Sequence, residues 1–491
     1  IEIMKKIGFN NQKYLEMQSE HIKERISQFG DKLYLEFGGK LFDDNHASHV
    51  LPGFSPDSKL QMLMQLKDDA EIVIVINAND IEQNKTRSDL QITYQEDVLR
   101  LINEFTQRGL YVGSVVVTQY NRQKAVDLFK ARLKRRKIDV YFHYFIEGYP
   151  TDTKKIISDS GFGKNDYVKT TRPLVVVTAP GPGSGKMATC LSQLYHEHKH
   201  GIKAGYAKYE TFPIWNLPLN HPVNLAYEAA TADLNDINML DPYHLNAYNK
   251  IAVNYNRDIE VFPVLKAIFE RIYGKSPYQS PTDMGVNMAG FCIMDEQVTF
   301  EACKQEIIRR YLDSIVKNKM GKFPDSAVEK TLSIMKQVNA SIEDRACVQA
   351  TRNRYEKEKV AITSIQLHDG TIITGKSSTL LRAPSAALIN ALKHLAGIQD
   401  DLLILSPSVL DPIIKLKLTQ LNYNNPRLHV NEVLLILAVS ATTNPIADLV
   451  LHQLDKLKGT QAHSSSILSF IDQNFYNKLK IELTTEPVLN K

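Results

Sequence analysis

Short apolar runs alternate with amphipathic stretches through the first half of the chain. EIVIVINA (71–78), YVGSVVVT (111–118) and LVVVT (174–178) are rich in β-branched residues and apolar almost throughout. That is the pattern of strands buried on both faces. YLEFGGKLF (34–42) reads as a strand broken by a Gly-Gly turn, and DVYFHYFI (139–146) as a further strand. Helical periodicity fills about 94–108 and 122–136. Strand–helix–strand repeats at this spacing predict a parallel sheet with helices on its faces.

Beyond residue 240 the texture changes. YGKSPYQSPTDMGVNMAG (273–290) reads as a long loop, and 296–318 and 326–359 are strongly helical. From 360, TSIQLHDGTIITGK predicts a hairpin around Asp369-Gly370. A helix (APSAALINALKHLAG), a strand (DDLLILS), more helices and two strand-like pieces near 461–484 follow. The expected fold is α/β. A P-loop-like or Rossmann-like part occupies 4–240, a loop-rich and helical domain 241–359, and a smaller α/β domain 360–491. The opening IEI before MKK reads as foreign, with Met4 as the natural start and no signal-peptide pattern.

Composition narrows the function classes. A net charge of +4 over 491 residues is too weak to mark a nucleic-acid binder. The densest basic run, KARLKRRK, falls at a helix end, where positive charge is favourable. Four cysteines without a C-x-x-C pair point to a reducing compartment, the cytoplasm. VLLILAVSA (433–441) is far short of the roughly 20 apolar residues of a membrane span. The expected partner is a small molecule, not nucleic acid or membrane; a homo-oligomer fits the sequence equally well.

The chemistry concentrates at LVVVTAPGPGSGKMATCLSQLYHEHKHG (174–201). A strand that ends in a Gly-rich turn and opens a helix presents free N–H groups and a positive dipole end to an anion. Gly181, Gly183, Ser184 and Gly185 form the candidate cradle, and Lys186 the side chain that reaches the outer phosphates. G-x-x-x-x-G-K-[ST] would need Gly at 180 and Ser or Thr at 187, where this chain has Pro180 and Met187. The usual magnesium ligand is therefore missing, leaving Ser184, or Asp233 and Asp236, as substitutes and the need for magnesium open. At the exit of the 71–78 strand, Asn77, Asn79 and Asp80 line the same crevice if that strand neighbours LVVVT; Arg87 and Asp89 lie nearby. In GIKAGYAKYETF (201–212) the chain is similar to the strand that follows the P-loop helix in dethiobiotin-synthetase-like enzymes. That similarity implies that Lys208 and Glu210 sit beside the loop, at a strand's C-terminal end, as catalytic candidates with Lys186. Both an enzyme and a non-catalytic sensor remain open.

Two further motifs compete with this one. GTIITGKS, Gly370 to Ser377, fits the P-loop pattern letter for letter, but Ile372, Ile373 and Thr374 favour an extended strand. His196, Glu197 and His200 form H-E-x-x-H, a zinc-peptidase pattern. At about 100° per residue, Met187, Cys190, Leu191, Leu194 and Tyr195 make the apolar face with His198 near its centre. His196 and His200 then fall opposite, in solvent, which argues against zinc. DDNHASH (43–49) gathers Asp43, Asp44, His46 and His49. On the Ala-rich helix of 221–236, Asn224, Glu228, Thr231 and Asn235 make a polar stripe, expected to be its wet face.

EFGGKLFDD, HASHVLPGF, EIVIVINANDIE, APGPGSGKMATCLSQLYHEHK, GYAKYETFPIWNLPL, HPVNLAYEAATADLND and SPTDMGVNMAG span nearly the whole chain. Together they resemble a bacterial family catalogued as a protein of unknown function, some members of which carry the label ATP-dependent zinc peptidase. The resemblance implies a cytoplasmic, multidomain α/β protein.

Overall fold

A computed structural model describes residues 6–489 apart from 31, 43, 88, 89 and 235. The chain divides into two compact units, Lys6–Cys303 and Lys304–Lys491. The first holds strands β1 (Lys32–Phe37), β2 (Ala70–Asn77), β3 (Tyr111–Thr118), β4 (Asp139–Phe142), β5 (Leu174–Thr178), β6 (Ala204–Tyr209), β7 (Asn238–Leu240), β8 (Val253–Tyr255) and β9 (Gly285–Val286). Seven of them form one sheet in the order β4-β3-β2-β5-β1-β6-β9, with every pairing parallel. The predicted apolar runs are its centre, because a strand covered on both faces has no polar side to show. β7 and β8 pair separately as an antiparallel ribbon.

Helices cover both faces. Phe29, at the end of the helix Asn11–Phe29, lies so close to Gly205 that a Cβ there would collide with its ring. From the opposite face, Glu197 of the helix Lys186–Lys199 accepts a hydrogen bond from Tyr34 on β1. The helix Asn256–Tyr273 packs on Lys186–Lys199 in turn and contributes Val261, Phe262, Leu265 and Phe269 to the core. The sheet thus draws on residues well beyond 240.

The second unit holds β10 (Ile362–Gln366), β11 (Ile372–Lys376), β12 (Gln461–Ser464) and β13 (Glu482–Thr485), in the order β11-β10-β12-β13. β10 and β11 form the expected hairpin, with Gly370 at φ +88°, a conformation glycine adopts without strain. β12 and β13 are parallel, and the unit has its own core.

Three expectations need correction here. DDLLILS is not a strand: the carbonyls of Asp400 and Leu402 accept from Lys393 Nζ at 2.6 and 2.8 Å, and Leu403 is exposed. The helical stretch 326–359 is two helices, Asp325–Gln337 and Ala346–Glu358. Asn339 at φ +51° ends the first, and a Ser341–Asp344 capping box starts the next turn. The strand read over 34–42 breaks at its Gly-Gly turn as expected, ending at Phe37 before Gly39 at φ +71°, but it does not resume over 40–42. Among the described residues, no helix is long and apolar enough to cross a membrane.

Candidate functional site

The chain leaves β2 toward β3 and leaves β5 past β1 toward β6, so the two connections diverge. In a parallel sheet such divergence opens a crevice at the strands' C-terminal ends. β2 does neighbour β5, and APGPGSGK lies at this opening. Gly183 and Gly185 take positive φ, +76° and +90°, which a side chain resists. A methyl group at Gly181 would collide with the Tyr94 hydroxyl. Residues of three elements hold the loop from behind. Asn77 Nδ2 donates to Gly183 O at 3.3 Å, Thr118 Oγ1 to Ser184 O at 2.6 Å, and Thr189 Oγ1 to Gly185 O at 2.9 Å. Ser184 is buried and donates to Gly181 O at 2.8 Å, so its hydroxyl is committed to the turn instead of facing a cation. Asn79 Oδ1 accepts from Gln123 at 3.3 Å. Buried Asp80 pairs with Lys85 at 3.5 Å, with burial holding its carboxyl above the ordinary range. Of these three strand-exit residues, Asn77 touches the loop.

Beside the loop lies a second constellation. Val177, Glu36 and Lys208 stand in register across β5, β1 and β6. Residues in register on parallel strands share a face, so Glu36, Tyr206 and Lys208 share the face carrying Lys186–Lys199. Tyr206 donates to Glu36 Oε2 at 2.6 Å. Lys208 Nζ reaches both Asp258 oxygens at 2.8 and 2.7 Å, the Tyr255 hydroxyl, and Glu210 Oε1 at 3.2 Å. Burial alone would favour the neutral amine. The Asp258 carboxylate outweighs it, so the Lys208 ammonium persists well above lysine's usual range. One ammonium between two buried carboxylates leaves a negative charge in excess. Burial places the missing proton on Glu210, whose carboxyl is pushed up to about 8, with Lys208 opposing and Asp258 adding to the rise. Half-buried Lys186 makes no hydrogen bond or ion pair among the described residues. Burial draws its ammonium below the usual range against the pull of Glu36, with Lys208 and Lys59 adding to the fall.

The remaining candidates are spent on the fold. His196 is buried, contrary to the solvent position expected, and its Nε2 pairs with Phe162 O at 3.0 Å. Glu197 is fully buried and accepts from Lys32, Tyr34 and Tyr167 at 3.0, 2.6 and 3.0 Å. His198 is half-buried and His200 exposed, its ring stacked on Tyr167. The wheel fails because residues 157–168 and the helix Asn256–Tyr273 also cover this helix, so it has almost no wet face. Asp233 is exposed and Asp236 pairs with Arg257 Nε at 2.6 Å. Asp44 pairs with Lys59 at 3.0 Å and caps the helix Asn45–Val50. Arg87 pairs with Asp97 at 2.8 Å. Asn224, expected on a wet face, is fully buried and holds the loop at Ile214 through its backbone N–H and carbonyl. Asp43, Asp89 and Asn235 lie outside the described residues. Among the described residues no group of three or more His, Cys, Asp or Glu side chains is placed to hold a metal. In the second unit, GTIITGKS runs out along β11, and Lys376 Nζ pairs with Glu358 at 2.8 Å.

Glu36, Tyr255 and Asp258 escaped the sequence reading. Glu36 had a signal: a lone charge inside an apolar strand. Asp258, 50 residues from Lys208, had none beyond its place in a helix's first turn.

Residues 7–339 match the family described as domain of unknown function DUF1846, N-terminal, and residues 343–491 its C-terminal counterpart. A UPF0371 protein of Streptococcus thermophilus (strain ATCC BAA-491 / LMD-9) is 54% identical over 484 residues, covering 99% of this chain and 98% of the relative. UPF0371 protein SpyM50764 of Streptococcus pyogenes serotype M5 (strain Manfredo) is 54% identical over 485 residues, with the same coverage. With both halves matched in order along its length, the chain belongs to the DUF1846 family.

Proposed function

We propose that this protein binds a nucleotide or another phosphate-bearing small molecule at Gly181–Lys186 and acts on it beside Lys208 and Glu210. The observation that carries the reading is the Lys186 amine, left without a partner between a preshaped anion loop and the Glu36–Lys208 cluster. A phosphate supplies the missing counter-charge, and the helix N-terminus adds about 0.3–1 kcal/mol, up to about 2 where partly buried. Met187 packs against the core and offers a cation nothing, so the loop holds its anion without magnesium. Zinc has no part in this reading. Four buried free cysteines suit a reducing cytoplasm.

A sensor reading draws on the saturation of Lys208, whose contacts with Asp258 and Tyr255 leave it little freedom for chemistry. A thermal-shift panel of nucleotides and phosphorylated metabolites tests binding. A ligand at 100 times its Kd stabilises by about 2.7 kcal/mol. That shift is expected to vanish in Lys186→Ala; a panel without a Lys186-dependent shift removes the reading. Turnover of the ligand so found then separates enzyme from sensor.

A further inference from the structure

Of the six exposed aromatic side chains described in the first unit, three, Tyr144, Phe145 and Tyr149, fall within six residues just past β4. Exposed apolar side chains are ordinary when scattered singly; gathered in one place they mark a binding surface. Contacts on two sides fix this segment beside the anion loop. His143 N donates to Val117 O at 3.0 Å, and Tyr120 N to His143 O at 3.0 Å, which ties it to the end of β3. Thr118, between Val117 and Tyr120, holds Ser184 O at 2.6 Å, and a Cβ on Gly185 would lie 3.1 Å from its methyl group. On the other side, Tyr144 N donates to Asn165 Oδ1 at 2.8 Å, and Asn165 Nδ2 donates to Ser192 Oγ on the helix Lys186–Lys199 at 3.1 Å. The rings build a ledge. Tyr120 stacks on Phe142 with centroids 4.0 Å apart and planes 22° from parallel, and Tyr144 leans on Tyr120 at 6.1 Å. Two residues of chain, at most about 7 Å, separate the Tyr120 backbone from the threonine that touches the loop.

We propose that the phosphate-bearing ligand is a nucleotide whose base stacks on this ledge, against Tyr144 and Phe145, while its phosphates lie at Gly181–Lys186. This rests on the phosphate reading above and narrows it. Ledge and loop stand at the same end of the sheet, past the C-terminal ends of β3, β4 and β5, where parallel sheets take their ligands. A base has a flat π-face that an aromatic ring covers whatever groups its edge carries. A phosphorylated sugar without a base presents hydroxyls instead, and ring faces give hydroxyls no hydrogen-bond partner. Phe145 is 70% exposed, so most of its ring is available to a base. Stacking follows the area of the π-face, so purine nucleotides bind this ledge more tightly than pyrimidine ones.

The test is calorimetric titration of the full chain, with and without magnesium. ATP, ADP and CTP are the probes; inorganic tripolyphosphate and pyrophosphate are the base-free controls. ATP is expected to bind at least tenfold more tightly than tripolyphosphate, ADP at least tenfold more tightly than pyrophosphate, and CTP more weakly than ATP. Tyr144→Ala and Phe145→Ala are each expected to weaken ATP at least fivefold, about 1 kcal/mol, the lower end of what one base–aromatic stack contributes. Both are expected to leave tripolyphosphate within twofold, which also shows that each variant is folded. Tripolyphosphate binding as tightly as ATP, with both lost in Lys186→Ala, overturns the base ledge and leaves the phosphate reading standing. ATP affinity unchanged in both aromatic variants also overturns the ledge; if the same variants shift the sedimentation of the protein on dilution, the ledge belongs to a second copy of the chain. No binding of any probe overturns the ledge and the phosphate reading together.

Discussion

Two stretches of this chain end in Gly-Lys after a β-strand or within one, and they differ in everything but the letters. At 370–377 the pattern is complete, yet the residues run straight through β11. Gly375 is there because Ala387 of the next helix passes so close that a Cβ would collide with its backbone. Lys376 is spent on an exposed pair with Glu358. At 180–187 the pattern is broken at both ends. Yet two of its three glycines, Gly183 and Gly185, sit at positive φ, the strand before it is parallel and central, and the helix begins at Lys186. An anion site is made by free N–H groups converging at a helix start. A strand ladder uses those same groups for its own pairing. Strand context, then, decides which of two lysines is available.

The contrast breaks hardest in the helix after the first loop. Glu197→Ala strips one partner from Lys32, Tyr34 and Tyr167 at once. A loss of about 3–5 kcal/mol is expected in urea unfolding, the usual cost of orphaning a buried charge. A near-neutral result would mean that this glutamate is free for chemistry after all. Next comes the direct comparison of the lysines. Lys186→Ala is expected to weaken a phosphate ligand at least tenfold, about 1.4 kcal/mol, and Lys376→Ala less than twofold, by calorimetric titration. Equal losses would join the two stretches in one function.

Acid and base then sharpen the contrast between the units. Glu210 is raised from 4.5 to about 8 by burial, so the folded form keeps a proton that the unfolded chain gives up. Its contribution is complete below 4.5 and is lost as pH rises through about 8. Glu486 in the second unit goes the other way. Its hydrogen bond with His463, with Arg352 adding, lowers it to about 2. Its stabilisation is present above 4.5 and is lost as pH falls toward 2. Stability profiles are expected to flatten in different windows, between 4.5 and about 8 for Glu210→Gln and between about 2 and 4.5 for Glu486→Gln; parallel changes would defeat the assignment. The smallest effect is expected from the cation. With Met187 in place of a hydroxyl, EDTA is expected to change phosphate affinity less than threefold, about 0.6 kcal/mol. Strict magnesium dependence would show that a ligand for it exists elsewhere.

The sheet was legible because buried parallel strands are written as unbroken apolar runs: the expected bounds of β3 and β5 match to the residue. The loop was legible because glycine spacing is local. What stayed hidden depends on packing between distant segments. The wheel for Lys186–Lys199 assumed one covered face, and no local pattern announced that 157–168 would cover the other. His196 was misplaced for that reason, and Asn224 because the segment around Ile214 covers its side of the helix Pro222–Ala230. DDLLILS shows the converse failure, a strand-like apolar run whose backbone was claimed by Lys393. Two partners of Lys208, Tyr255 and Asp258, arrive from β8 and the helix after it, joined to Lys208 by geometry alone.

The loop at Gly181–Gly185 is braced from Asn77, Thr118 and Thr189 before any guest arrives. A loop that must close around its ligand spends binding energy on its own ordering and captures slowly. One already shaped gives up little freedom on binding. On the proposed reading, association with a small anion would then be set by diffusion and charge steering, and ligands would differ chiefly in residence time. Candidates for the loop would be sorted on the way out.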